Sequence, residues 1–326
     1  MGKIPIKGGV AFSGWRREVA AQLAVWYERS ARVLPWRGTR DPYAILVSEM
    51  MLQQTGVATV IPYFRSWMDR WPSLSALAMA TEDDVVAAWQ GLGYYRRARN
   101  LLRIAVMLHD EGGRFPEDPE TLLALPGVGP YTAAALASLA FDRPVAVSDG
   151  NVKRVIARLL ACETPVNTGP GERIFRNLAQ TLMGEADAAT HNSAMMDLGA
   201  TVCLPRRPRC RECPLAALCV GESSGVQQTL PRKKGRWVPV QAVFVALVLR
   251  SPKGVWVRRR SAEGLWASMW EMPWDQENTQ AAFGSPREVV EWATSRWDRF
   301  ELPPWVSGQP KRSEEHTSEL QSLLII

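Results

Sequence analysis

Four cysteines, Cys203, Cys210, Cys213 and Cys219, stand at the spacing C-x6-C-x2-C-x5-C. Thiols crowded in this way ligate metal in a reducing compartment rather than pair as disulfides in an exported protein. Zinc knuckles usually come as two C-x2-C pairs joined by a longer loop, whereas four thiolates on one short loop suit a compact 4Fe-4S cubane, so the spacing favours the cluster over zinc. Arg206, Arg207, Arg209 and Arg211 are interleaved with these cysteines and either grip a polyanion or simply form a solvated face. The fifth cysteine, Cys162, reads as a buried free thiol.

Two carboxylates are candidates for acid–base work. Asp41-Pro42 marks a helix start, cap then proline, and the helix is predicted to run over residues 43–54. Glu49 lies in it among Ile45, Leu46, Met50 and Leu52. Apolar surroundings would raise its pKa and keep it protonated, as a general acid requires, although the pattern alone reads more readily as an exposed glutamate beside Ser48. Asp149, in VAVSDGNVKR (145–154), precedes a helix and needs no role beyond an N-cap. In LPGVGPYT (125–132), Gly127 and Gly129 permit a tight turn between two apolar helical patterns. The amides opening the second helix can face a phosphate, and a turn used only for packing would look the same.

Helices must position these groups. Apolar residues recur at three and four spacings over 19–27, 60–68, 101–108, 132–139 and 152–160, so 13–221 is predicted to be an all-α domain ending in the cysteine loop at about 200–221. Residues 222–237 form a polar, basic linker, and the short β-branched runs 238–249 and 254–258 open a sheet-bearing second domain, 238–311. The stretch RSEEHTSELQS (312–322) resembles a translated sequencing adapter, so 312–326 is expected to be a non-native tail and the second domain to be truncated. A chain of 326 residues, 46% hydrophobic and 22% charged, has room for two such cores. Net charge of +6 and a pI near 9.2 favour polyanionic partners, and Arg96, Arg97, Arg99 and Arg103 form a second basic run. Residues 1–9 lack the apolar core of a secretory signal, so a cytoplasmic, nucleoid-associated location is expected. The uncharged stretch 121–141 is long enough to span a membrane, but Pro126, Gly127, Gly129 and Pro130 break it, so no membrane association is expected.

LPWR (34–37), SEMMLQQT (48–55), GLGYYRRARN (91–100), LPGVGPYTA (125–133), DGNVKRV (149–155), MMDLGATVC (195–203) and the cysteine loop, in register over roughly 15–275, resemble the adenine DNA glycosylases of the MutY family. The resemblance implies a mainly α, helix-hairpin-helix glycosylase core with an iron-sulfur cluster loop, followed by a truncated α+β Nudix-like domain. It implies a monomeric, monofunctional DNA glycosylase of base excision repair. The substrate would be double-stranded DNA containing adenine mispaired with 8-oxoguanine or guanine, and the product an abasic site. Glu49 would be the general acid toward adenine N7 and Asp149 the carboxylate that stabilises the oxocarbenium-like sugar, with Tyr131 and Asn151 orienting Asp149 and the water. Trp36 and Arg37 would line the adenine pocket, Gln54 and Tyr94 would wedge into the duplex, and Gly127, Gly129, Arg207 and Arg209 would meet the DNA backbone. The four cysteines would hold the 4Fe-4S cluster.

Endonuclease III, a relative in the same superfamily, carries a nucleophilic lysine where this chain has Tyr131, which disfavours a bifunctional pyrimidine glycosylase and lyase. Lys153, on the helix beyond Asp149, is a poor substitute. A non-catalytic DNA-binding module is disfavoured because two carboxylates near a phosphate backbone would repel it. Two positions depart from the family pattern. Ser193 stands where a longer Gln or Glu often touches the base, so the family's adenine contacts do not carry over at that position. The later loop that reads 8-oxoguanine has no counterpart, so a weakened preference for 8-oxoguanine is expected.

Overall fold

In the computed structural model, which describes residues 9–235, 243–251, 254–261, 269–277 and 286–300, the chain divides into two units, Met1–Gly235 and Arg236–Ile326. The first is helical: α1 (Gly9–Ser30), α2 (Pro42–Leu52), α3 (Val57–Arg70), α4 (Leu74–Ala78), α5 (Glu82–Ala88), α6 (Arg96–Asp110), α7 (Pro119–Leu123), α8 (Pro130–Phe141), α9 (Gly150–Leu159), α10 (Gly169–Met183), α11 (Ala188–Thr201) and α12 (Val220–Ser223). Short side-chain caps start many of them, such as Ser73 on Ala76 N, Thr81 on Asp84 N and Thr168 on Gly171 N.

Helix α8 organises the unit. Its sequence, PYTAAALASLAF, carries no charge and is mostly buried, and a helix that is apolar all round belongs inside. Ala133, Leu136 and Ala137 join a core with residues of α2–α7, while Ala134 and Ala135 join a second core with α1 and α9–α11. Alanines let both lobes approach the α8 backbone closely. The lobes therefore meet along one thin helix, and the chemistry-bearing residues of α2 and α9 face each other across its N-terminal end. Among the described residues, no helix is long and apolar enough to cross a membrane.

The predicted helix over 43–54 stops at Leu52, because Gln54 takes a left-handed backbone (φ 58°) that no α-helix tolerates. In the second unit, β1 (Val243–Ala246) pairs antiparallel with β6 (Trp274–Glu277), β2 (Leu249–Ser251) with β3 (Gly254–Trp256), and β4 (Arg258–Arg259) with β5 (Trp270–Glu271). Helix α13 (Pro286–Ser295) follows, and Val245, Leu247, Ala293 and Phe300 form a small core. Strand and helix together make this unit α+β. Of the predicted strand run 238–249, residues 238–242 lie outside the described residues, as does the tail 312–326.

Candidate active site

Asp41 caps α2 by accepting from the Tyr43 and Ala44 amides at 3.0 and 3.3 Å, with Pro42 in the first turn. Nine residues of the helix, Tyr43 to Met51, are buried. Glu49 is carried inside with them, 5% exposed, and Ser48 beside it is buried as well. The polar stripe that the pattern suggested does not exist; Ser48 turns its hydroxyl back to the Ile45 carbonyl at 2.8 Å. Oε2 of Glu49 has no hydrogen-bond partner. Burial raises the Glu49 carboxyl to about 7; the Tyr131 hydroxyl and the Arg37 charge oppose the rise, and the Asp149 charge adds to it.

Asp149 faces the same cleft of about 1070 Å³, which is also lined by Trp36, Arg37, Gln54, Tyr131, Asn151 and Ser193. It is the N-cap of α9: Oδ1 accepts from Val152 N at 2.6 Å and Oδ2 from Asn151 Nδ2 at 2.9 Å. Burial pushes this carboxyl up, and the two hydrogen bonds hold it down. Asn151 is itself fixed, because Arg154 Nη2 donates to its Oδ1 at 2.7 Å and also to the Gly199 carbonyl at 2.7 Å. A Cβ on Gly199 would sit 2.6 Å from Asn151 Cβ, so only glycine lets α11 come this close to α9.

Tyr131, in the first turn of α8, donates to Met196 Sδ at 3.2 Å. Burial, then the Glu49 and Asp149 charges, push its phenol well above the ordinary range. It therefore stays a proton donor beside both carboxylates. Lys153 forms an ion pair with Glu172. Arg37 lies between the Tyr27 hydroxyl (3.0 Å) and Asp197 Oδ1 (2.9 Å). Trp36 is buried, edge-on to Phe64 with centroids 5.3 Å apart.

Asp197, Asn192, Arg154 and Arg158 support the site without having been singled out from the sequence. Asp197 is fully buried and accepts from Arg32 N at 3.0 Å, from the Arg32 guanidinium at 2.9 and 2.6 Å, and from Arg37. Asn192 holds the segment leading to Asp149, accepting from Val147 N at 3.0 Å and donating to Val145 O at 2.8 Å. Removing one partner of such a buried pair strands the other charge. Asp197→Ala should therefore cost about 3 kcal/mol, the low end of the range because the arginines retain some solvent contact; the midpoint of urea unfolding checks this.

The flanking elements differ in how far they resemble their expected forms. Tyr94 is 62% exposed with φ 47°, and Gln54 is exposed at the cleft edge. In the α7–α8 hairpin Gly127 has φ 74°, and a Cβ there would lie 2.0 Å from the Asn100 side chain. Gly129 is not needed for the turn as expected: its φ of −96° suits any residue, and nothing lies within 4 Å of its absent side chain.

The four cysteines are partly buried and unbridged. Arg154 Nε donates to Cys203 O at 2.8 Å, and Arg158 Nη1 donates to Cys203 Sγ at 3.3 Å and to Leu204 O at 2.6 Å. One helix, α9, thus holds Asp149 at its start and the cysteine loop along its side. Burial pushes the Cys213 thiol up to about 12, with Cys203, Cys219 and Cys210 each close enough to add repulsion. Among the described residues no three ligating side chains bracket a single metal ion. Arg207 is exposed with φ 50°, and Arg209, also exposed, reaches Glu212 only at 3.8 Å.

Residues 47–180 match the model of the HhH-GPD superfamily of base excision DNA repair proteins. The chain is 47% identical over 210 residues to the adenine DNA glycosylase of Mus musculus, an alignment that takes in 61% of this chain and 41% of that protein. It therefore spans about two fifths of the mouse relative's length. Over 279 residues it is 31% identical to the adenine DNA glycosylase of Buchnera aphidicola subsp. Schizaphis graminum (strain Sg), covering 84% of this chain and 78% of that one. Among solved structures, a thermostable thymine-DNA glycosylase superposes with a TM-score of 0.60 at 30% identity, over 66% of this chain and 99% of that one. A helical core sharing this likeness over most of a full-length relative leaves one assignment: the chain belongs to the adenine DNA glycosylase family of the HhH-GPD superfamily.

Proposed function

We propose that this chain hydrolyses the N-glycosidic bond of adenine mispaired with 8-oxoguanine or guanine in duplex DNA, leaving an abasic site. The observation that carries the reading is the pairing of two unlike carboxylates on one cleft: Glu49 buried and raised to about 7, Asp149 held by an amide and by Asn151. Burial raises both carboxyls, but only Asp149 has hydrogen bonds from an amide and Asn151 to hold its charged form, and that difference assigns the roles. Adenine leaves only when its ring is protonated, and protonated Glu49 is the donor toward N7. Breaking the bond leaves positive charge on the sugar, which the Asp149 carboxylate stabilises while water attacks. Tyr131 and Asn151 orient Asp149 and the water.

The base reaches this cleft only when rotated out of the stack, at a cost of a few kcal/mol. Gln54 and Tyr94 wedge into the gap, the amides of the hairpin at Gly127 and Gly129 meet a phosphate, and Arg207 and Arg209 reach the backbone. Trp36 and Arg37 wall the adenine pocket.

Cys203, Cys210, Cys213 and Cys219 would hold a 4Fe-4S cluster. Four free thiols on one short loop, with a guanidinium donating to one sulfur, are a donor set that suits it. The cluster would brace the loop that carries Arg207 and Arg209. Iron and acid-labile sulfide are expected at about four of each per chain, to be lost in Cys213→Ser.

Single-turnover excision on duplexes carrying adenine opposite 8-oxoguanine, guanine or thymine tests the function. Adenine release from the first two is expected, by a monomer in sedimentation. With Tyr131 in the hairpin and Lys153 engaged by Glu172, the product strand should stay intact until alkali is added; enzyme-made nicks would reinstate a lyase.

A further inference from the structure

Gln54 and Tyr94 sit in separate turns, between α2 and α3 and between α5 and α6, and both have left-handed backbones. Such a conformation is strained for a residue with a side chain and persists only where its surroundings impose it. One residue bonds to both turns. Arg97, in the first turn of α6 and 6% exposed, donates through Nη1 to the carbonyls of Met50 (2.8 Å), Met51 (3.0 Å) and Gln53 (2.5 Å). Through Nη2 it donates to the carbonyls of Leu92 (3.0 Å) and Gly93 (3.1 Å) and to Thr55 Oγ1 (3.3 Å). Its guanidinium lies over the rings of Trp89 and Tyr94, 5.3 and 5.5 Å from their centroids.

The Met50, Met51 and Gln53 acceptors are carbonyls at the end of α2, which have no partner within the helix and which a cation satisfies best. Among the described residues no carboxylate pairs with Arg97; the salt bridges formed by the neighbouring arginines, such as Arg99 to Glu82, bypass it. A buried cation without an anion is costly, and here that cost is offset by main-chain acceptors drawn from two separate turns and by two aromatic faces. The planar fork suits that geometry, since Nη1 holds the end of α2 while Nη2 reaches the second turn and Thr55 of the first, whereas a lysine ammonium is a single point.

We propose that Arg97 is a positioning residue that locks the Gln54 and Tyr94 turns into one rigid wedge, so that they enter the duplex together and extrude the base. This rests on the reading of those two residues as the wedge. A role confined to folding would lower the melting temperature and slow all substrates alike. A wedge role slows only those whose base must be pulled from a pair.

The test uses the full chain and Arg97→Lys, which keeps the charge and cannot serve both turns. Amide hydrogen exchange on the free protein should quicken at 53–55 and 92–95 together. The single-turnover rate on adenine opposite guanine should fall on the order of 10²-fold, as misplacement of a catalytic geometry by about an ångström does. The 2-aminopurine fluorescence rise on extrusion should shrink in parallel, while excision of adenine opposite an abasic site is largely spared. Equal losses on both substrates, or exchange that quickens in one turn alone, would overturn the proposal. If Arg97→Lys does not fold, Thr55→Val removes one acceptor from the first turn; exchange at 92–95 must then quicken, and wild-type values there reject the coupling. A wild-type protein that releases no adenine rejects the proposed function instead, and the exchange result still judges Arg97.

Discussion

Glu49→Gln is expected to abolish excision while leaving duplex affinity intact. Glutamine keeps the shape and one acceptor but has no proton to give, and a positioned general acid is worth roughly 10² to 10⁴ in rate. The pH profile of the wild type should carry the same signature. Glu49 works protonated, so with its carboxyl raised to about 7 the single-turnover rate declines as pH rises through that value, about tenfold per unit beyond it. Asp149 works ionised, and burial raises its carboxyl too, so the acid limb should lie above the ordinary aspartate range. The two groups interact, and each limb belongs to the pair.

Stability should move the other way. Glu49 ionises near 4.5 when unfolded and near 7 when folded, so its contribution is intact below the lower value. It is lost as pH rises to the upper one. Glutamine escapes that loss, and above pH 7 the variant should be more stable by on the order of 3 kcal/mol, a difference that fades toward the lower value. Thermal melts at acid and alkaline pH check this beside the excision assay. A variant that gains stability as it loses chemistry marks a residue kept for function; one that excises normally removes Glu49 from the mechanism.

The cap at Asp41-Pro42, the hairpin glycine Gly127 and the periodic helices were legible because each depends on residues a few positions apart. The burial of Glu49 was not. Its helix is apolar on nearly every face, so periodicity could not say which side met water, and that question is settled by α8, nearly a hundred residues downstream. The arginines misled for a related reason. Arg97 belongs to a run that reads as a basic face, and Arg154 and Arg158 drew no reading at all, yet each is buried with its guanidinium on backbone carbonyls 44 to 72 residues away in sequence or on nearby turns. A charged residue satisfied by main-chain acceptors leaves no complementary side chain for the sequence to display. Gln54 was placed in a helix because nothing in its type announces a positive φ, and the Arg97 side chain that bonds the carbonyls just before it lies more than forty residues downstream.

Asp149→Asn separates the two roles this residue can have. As an N-cap, asparagine is nearly its equal, since the amide oxygen can still accept from Val152 N. As a charge it is no replacement, and one preorganised electrostatic group aimed at a developing charge is worth about 10² to 10³ in rate. The Asn151 amide, which donates to Asp149 Oδ2, would now meet either an oxygen or an NH2. The second arrangement forces Asn151 to turn over and withdraws the acceptor from Arg154 Nη2, leaving a buried donor unsatisfied at a cost of about 1–3 kcal/mol. Excision should thus fall by at least about 10²-fold with a modest drop in melting temperature. Asp149→Ser removes the ambiguity, because serine caps a helix well and its short hydroxyl places no amide against Asn151. Its melting temperature should lie near that of the wild type and its excision rate near that of Asp149→Asn. If either variant releases adenine at the wild-type rate, Asp149 is a cap and nothing more, and the positive charge on the sugar must be met by some other group on the cleft.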